Sequence, residues 1–300
     1  MDAPSYSPVR GIFWMVITGI LFVCVTALVK ANGTRIPAAE AAFLRYALGI
    51  ILLLPMIPQF RQTTFDRPMM TAFVVRGVAH SIGVALWFFA MARIPIADVT
   101  AMNYLTPVYV TLGAALFLGE KLALRRILAV LAALLGALVI LRPGFREVSS
   151  GHIAMLATAV FFACSYLLAK HLSARANPAT VVVMLSVFVP IGLFPMAVPV
   201  WVTPNLSELG ILFAVACFAT AGHFTMTLAF AAAPVAVTQP VTFLQLVWAV
   251  TLGVVMFGEP IDPWVVFGGA IILSAVSFMT WREAVIKRRS TTPSVNLPKV

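Results

Sequence analysis

Charge is what this sequence has least of. Only 10% of its 300 residues are Asp, Glu, Lys or Arg, against about 25% in an ordinary soluble domain. With 62% hydrophobic residues and a mean hydropathy of +1.03, the chain has more apolar surface than a core of its size can absorb. A water-facing exterior is therefore excluded. Cysteine is scarce as well: Cys24, Cys164 and Cys217 all lie in apolar runs and form no CxxC pair. That spacing supports neither a disulfide framework nor a metal site, and the three read as buried small hydrophobes. GxxxxGK[ST], HExxH and GxSxG are all missing. The chain therefore shows no nucleotide-driven machinery, zinc-peptidase helix or nucleophile elbow, and it is not expected to be an enzyme or to hold a cofactor. A long hydrophilic segment is missing too. The pI of about 10.2 comes from Lys and Arg placed between apolar runs, without a basic reading face for nucleic acid.

Apolar runs are what the sequence has instead. Ten are present, at 11–29, 36–58, 69–92, 96–118, 122–141, 152–169, 179–203, 208–233, 235–257 and 263–281. Each is near the ~20 residues a helix needs to cross ~30 Å of hydrocarbon. The runs are continuous, whereas barrel strands alternate, so they predict helices. The first run exceeds a signal peptide and is followed by nine more, so it is kept as a mature helix. The reading is an all-α polytopic membrane protein, multi-pass in the lipid bilayer.

Two of those runs end alike. LFLGEKLALRR at 116–126 leaves an apolar run through Gly-Glu and turns basic; VMFGEPIDPW at 255–264 leaves through Gly-Glu and turns acidic. A shift of 139 lays Phe88–Glu120 over Thr227–Glu259 without a gap, matching Pro95 with Pro234 and Gly119-Glu120 with Gly258-Glu259. A shift of 140 lays Lys30 on Lys170. The chain thus reads as two copies of a five-helix unit, 11–142 and 152–282, followed by a basic tail at 283–300. Because five is odd, the second copy enters the membrane inverted, and the charge after Gly-Glu should reverse. With the N-terminus inside, thirteen Lys and Arg fall on the inner side and five on the outer. Both termini are expected to be cytoplasmic.

On VKANGTRIPAAEAAFLRY at 29–46, ALWFFAMARIPIADVTAMNYLTPVYVTLGAALFLGE at 85–120 and LAFAAAPVAVTQPVTFLQLVWAVTLGVVMFGE at 228–259, the chain resembles the drug/metabolite transporter superfamily, in its ten-helix EamA branch. The resemblance covers about residues 11–282. It implies transport of small metabolites, amino acids or drugs through a central cavity in the inner membrane. The stretch at 85–120 is also similar to bacterial relatives that take up riboflavin or S-adenosylmethionine.

Inverted repeats place a binding site near the midplane, where helices are interrupted. On the fourth and ninth runs Thr100 overlays Gln239, Asn103 overlays Thr242 and Thr106 overlays Gln245, and Pro107 and Pro240 interrupt the same runs. On a continuous helix these positions share one stripe about 120° wide. They are the expected substrate groups, with interhelical hydrogen bonding as the plainer reading. Tyr104, Trp87 and Trp248, the last being the counterpart of Tyr109, suit a flat, weakly charged molecule. With the resemblance, that makes riboflavin uptake the specific expectation. An amino-acid, S-adenosylmethionine or drug transporter, import or export, is the alternative, and a non-transporting scaffold is the alternative class. His80 and His223 are the candidates for a coupling proton, weighed against neutral buried imidazoles.

Arg45 and Arg76 are the costliest residues, since an arginine at a helix centre costs about 2.5–3.5 kcal/mol on insertion scales. Arg76 is near enough to its helix start to snorkel, and Arg45 reads as a structural bridge or a substrate contact. Asp98 is expected to cap its helix, and Lys30 to anchor at the interface. Ala129, Ala133 and Ala137, with Gly268 as the tenth-run counterpart of Ala129, form a small-residue face. Packing between the halves explains it, so a homodimer is allowed but a monomer suffices.

Overall fold

The computed structural model describes residues 7–56, 63–118, 124–173, 175–176, 178–233 and 238–291. Among them every regular element is helical. Eleven α-helices follow one another: α1 Pro8–Asn32, α2 Ala38–Gly49, α3 Arg67–Met91, α4 Ile96–Asn103, α5 Thr106–Leu118, α6 Leu124–Leu141, α7 Ser150–Ser173, α8 Pro178–Ala197, α9 Leu206–Ala232, α10 Phe243–Phe257 and α11 Pro263–Thr291. A 3-10 turn, Ile50–Met56, extends α2, and another, Gln239–Thr242, leads into α10. Among the described residues six helices are long and apolar enough to cross a membrane, including Val9–Asn32, Arg67–Met91 and Pro263–Arg282; Ile127–Leu141 and Leu244–Phe257 are shorter apolar helices. The Gly119-Glu120 exit and the basic residue that follows it lie outside the described residues.

Local chemistry sets the ends. Pro8 starts α1, where a missing N–H costs nothing, and Gly33 stops it at φ +73°. Asp66 caps α3 by accepting from the Met69 N–H at 2.7 Å. Asn205 and Glu208 open α9 with a reciprocal capping box at 2.9 and 2.8 Å. Gly258, left-handed at φ +62°, ends α10 and turns Glu259 back so that its N–H bonds the Gly253 carbonyl.

The chain alternates between two ends of one bundle. Ser7 donates to the Ala232 carbonyl, and Thr63 bonds Thr180, at the end carrying the N-terminus. Lys30 meets Glu259, and Arg35 meets Glu208, at the opposite end. Helices of the first half pack on helices of the second: α1 on α9, α3 on α7, α2 on α8, α4 on α10 and α6 on α11. Numbered as runs, the first packs on the eighth and the sixth on the third, which is one pairing seen twice when the copies are exchanged. The remaining pairs map onto themselves. This is the contact pattern of a two-fold related pair of repeats.

Small residues allow the closest approach. A Cβ added at Gly136 would lie 2.7 Å from the Gly268 carbonyl oxygen, and one at Gly268 would lie 2.5 Å from that of Gly136. Ala129, Ala133 and Ala137 are buried beside this contact. The small-residue face thus serves contact between the halves. Outward-facing positions on the same helices are bulky and bare, such as Leu131, Leu135 and Phe267, each more than half exposed. In water so many would be an aggregation hazard, and in lipid they are ordinary. Cys164 is also exposed, and Cys24 and Cys217 are only partly covered, so the expectation of three buried thiols is corrected. Lipid covers an outward-facing thiol as well as protein does.

Candidate functional site

The helix interruptions make the centre of the bundle. α4 ends at Asn103, Tyr104 and Leu105 form a turn, and α5 restarts at Thr106 with Pro107 in its first turn. In the other half the 3-10 turn Gln239–Thr242, carrying Pro240, precedes α10. A proline removes one backbone donor and frees a carbonyl, which must be satisfied inside protein. Here one break serves the other: the buried Tyr104 hydroxyl donates to the Thr242 carbonyl at 2.7 Å. The two breaks are thereby tied together across the interface of the repeats.

Around this tie lies a cavity of about 250 Å³, lined by Asn103, Tyr104, Thr106 and Pro107 from the first break and by Thr242 and Gln245 from the second. Its walls come from Met15, Thr18, Gly19 and Phe22 of α1, Arg45 and Tyr46 of α2, His80 and Trp87 of α3, Phe162 and Tyr166 of α7, and His223 and Met226 of α9. A second lobe of about 320 Å³ shares Arg45, Tyr46, His80, Tyr166, His223 and Met226 with the first and continues along Leu53, Arg76, Val182, Ser186 and Thr220. Those residues lie toward the end that carries the N-terminus. Together the lobes fall in the ~300–1,000 Å³ range of small-molecule sites.

The walls are aromatic and fixed by one another. His80 stacks on Phe162 at 4.9 Å between ring centroids, Phe162 stacks on Tyr166 at 6.1 Å, and Trp87 meets Phe162 edge-on at 6.1 Å. Phe22 meets His223 edge-on at 5.1 Å. Hydrogen bonds hold the same residues: His80 Nδ1 is 3.1 Å from Ser165 Oγ, and His80 Nε2 is 3.2 Å from the Tyr46 hydroxyl. The Trp87 indole N–H and the Thr106 hydroxyl are buried without a partner among the described residues. These are the groups a bound molecule would satisfy.

Of the residues read from sequence, Asn103, Tyr104, Thr106, Thr242, Gln245, Trp87, His80, His223 and Arg45 come together in the first lobe, and Arg76 lines the second. Thr100 is buried in α4 away from both lobes, and Trp248 is 38% exposed on the outside of α10. The side chain of Gln239 lies outside the described residues. The stripe had assumed one continuous helix; the turn at Tyr104–Leu105 resets the phase, so Thr100 and Thr106 no longer share a face. Tyr46, Phe162 and Tyr166 were missed. Phe162 and Tyr166 are four apart on α7, one aromatic face, and Tyr46 follows the buried Arg45; both are sequence-level signals.

The ionic residues also fall differently. Arg76 does not snorkel: it is 6% exposed and its Nη1 donates to the Val181 carbonyl at 2.8 Å. α4 has no side-chain cap; the Asp98 carboxylate instead pairs with Arg146 and lies 2.8 Å from His152 Nε2. The Ser149 N–H donates to His152 Nδ1 at 3.1 Å, and Arg146 Nη2 lies 2.5 Å from His152 Nε2. Arg142, in a left-handed conformation at φ 41°, pairs with Asp262. Lys30 is more than an anchor: its Nζ is 2.7 Å from Glu259 Oε1 and donates to the Ile94 carbonyl at 2.9 Å, while Glu259 Oε2 accepts from the Ile96 N–H at 3.0 Å. Arg35 pairs with Glu208 through Nε at 2.5 Å. The end of the bundle opposite the N-terminus thus carries ion pairs, with Lys30–Glu259, Arg35–Glu208 and Arg142–Asp262 joining one half to the other and Asp98–Arg146 joining the first half to the linker, and the cavity lies on the other side of them.

Known proteins agree with this architecture. A crystal structure 17% identical in sequence superposes with a TM-score of 0.60, over 93% of this chain and 98% of that one, which establishes a shared fold. Among curated proteins the chain is similar to a riboflavin transporter of Vibrio cholerae, 29% identical over 95% of this chain and 97% of that protein. A pseudopaline exporter of Pseudomonas aeruginosa is 28% identical over 88% and 94%. An S-adenosylmethionine uptake transporter of Rickettsia bellii is 23% identical over 91% and 94%. The model of the EamA-like transporter family matches twice, at residues 9–142 and 149–281, and so covers nearly all of the helical bundle. The chain is a multi-pass membrane transporter belonging to the EamA-like transporter family.

Proposed function

We propose that this transporter carries a small metabolite across the inner membrane by alternating access, and that riboflavin uptake is its specific activity. In this reading ten spans form two inverted five-helix repeats, 11–142 and 152–282, with both termini and the 283–300 tail in the cytoplasm. The observation that carries it is the aromatic cavity at the two tied helix breaks, whose second lobe runs toward the end of the bundle that carries the N-terminus while pairs between the repeats hold the other end. With the N-terminus inside, that is an inward-facing state. The two repeats would rock about the breaks, separating Lys30 from Glu259 and Arg35 from Glu208 as the outer side opens. Asn103, Thr106, Thr242 and Gln245 would meet the polar edge of a flat ring, and Trp87 with Phe162 its face. His80 and His223, both lining the cavity, are the candidates for carrying a coupling proton. The likeness to an exporter at 28% identity supports export as the second reading.

The test is uptake of labelled riboflavin by riboflavin-auxotrophic bacteria expressing the chain. Wild type should restore uptake, and Asn103→Ala and Gln245→Ala should each lower it about tenfold at equal membrane abundance, the loss of one buried hydrogen bond to substrate. Absence of uptake by wild type, with the protein folded in the membrane, removes riboflavin and leaves an amino-acid, S-adenosylmethionine or drug substrate, or a scaffold without flux.

A further inference from the structure

The cavity is lined by two arginines, and no carboxylate among the described residues lines it with them. Arg45 is 8% exposed, opens onto both lobes, and among the described residues its sole specific contact is its guanidinium lying 4.2 Å from the centre of the Tyr46 ring. Arginine keeps its charge in any protein environment and carries five N–H donors in one plane; among the described residues none of them meets an acceptor. Arg76, in the second lobe, uses one donor on the Val181 carbonyl and leaves its Nε without a partner. Among the described residues no Asp or Glu lines either lobe. The carboxylate nearest in sequence, Glu40, accepts from the Val202 N–H at 2.8 Å, and five positions along a helix put it on a different face from Arg45. Other buried charges in this chain do meet a counter-charge, Asp98 with Arg146 and Lys30 with Glu259. An uncompensated guanidinium in a membrane interior is costly, and its remaining donors are arranged for a planar or tetrahedral oxyanion.

We infer that the site also takes, in preference to neutral riboflavin, flat molecules that carry an anionic group, a carboxylate or phosphate, which pairs with Arg45 and passes toward Arg76 as it leaves the first lobe. This rests on the flat-metabolite reading of the cavity and sharpens it: the ring lies against Trp87 and Phe162, and the anion sits at the arginine end. Neutral riboflavin would fill the aromatic part and leave Arg45 unpaired. An acidic relative of it would satisfy both.

Two measurements on the purified full chain test the inference. The first titrates riboflavin, flavin mononucleotide and a carboxymethylflavin, which share the ring and differ in the anion. The two anionic flavins should bind about tenfold or more tightly than riboflavin, as expected for a charge-assisted pair. Whichever of the two binds better identifies phosphate or carboxylate. Arg45→Gln should abolish the preference, and Arg45→Lys should keep part of it. The second needs no substrate: Asn103→Cys in a variant lacking the three native cysteines is labelled with anionic sulfonatoethyl and cationic trimethylammonioethyl methanethiosulfonate. The anion-to-cation rate ratio should fall about tenfold on Arg45→Gln. Equal binding of the three flavins, or a ratio that Arg45→Gln leaves untouched, overturns the inference. Binding of none of them, with the ratio behaving as expected, supports an anionic substrate and removes the flavin reading instead.

Discussion

Removing the Lys30 ammonium should unlatch one side of the bundle. Its ion pair with Glu259 spans 2.7 Å with the two side chains 19% and 11% exposed, and each partner makes a further bond to the turn between α3 and α4. A fully exposed pair is worth about 0–1 kcal/mol, and truncating one partner of a fully buried pair costs about 3–5 kcal/mol. Exposure this low, at the edge of the bilayer, puts Lys30→Met at about 2 kcal/mol. Because the pair joins the two halves, the cost falls on the state closed at that end. The shift in the closed-to-open equilibrium is then about 30-fold. Reactivity of Asn103→Cys toward an impermeant thiol reagent added outside intact cells reads that shift and should rise by about tenfold or more. Glu259→Gln should act in the same direction, and the double variant should fall short of the sum of the two, since both remove one interaction. Additive effects, or lower thermal stability with outside reactivity unchanged, would refute the idea that this pair is a latch.

Two further perturbations probe the frame around the cavity. Gly268→Val adds atoms 2.5 Å from the Gly136 carbonyl oxygen and 2.7 Å from Ile140 Cγ1; overpacking of this kind costs about 1–3 kcal/mol, so the Tm in detergent should fall while flavin affinity in the surviving folded fraction stays unchanged. Asp98→Asn leaves the Arg146 guanidinium and the His152 imidazole without their shared carboxylate. That should lower Tm by about 5–10 °C, as for a broken buried pair, and a thermal melt equal to wild type would show the cluster to be dispensable.

The parts of this molecule set by composition and period were legible in its sequence. Ten apolar runs, the 139-residue repeat and the paired prolines pointed to a helical bundle with a central break in each half, and Asn103, Thr242 and Gln245 do meet there. Helical phase was the limit. A count of 100° per residue holds only along an unbroken helix, so it misplaced Thr100, on the far side of the turn at Tyr104–Leu105. Partners distant in sequence were the other limit. Lys30 and Glu259 are brought together by the packing of opposite halves, and Arg76 finds its acceptor on α8; no local pattern announces either. Asp98 has the position of a capping residue and the role of an ion-pair partner because the α6–α7 loop, turned by left-handed Arg142 and Gly144, delivers Arg146 to it.

The central claim is that solute crosses this chain through the cavity at the tied breaks. Riboflavin counterflow into liposomes containing only the purified protein, wild type beside Asn103→Ala and Gln245→Ala, tests it most directly. The account predicts saturable flux for wild type and a loss of about tenfold in each variant. Flux that both variants retain in full would contradict it, because the path would then lie elsewhere.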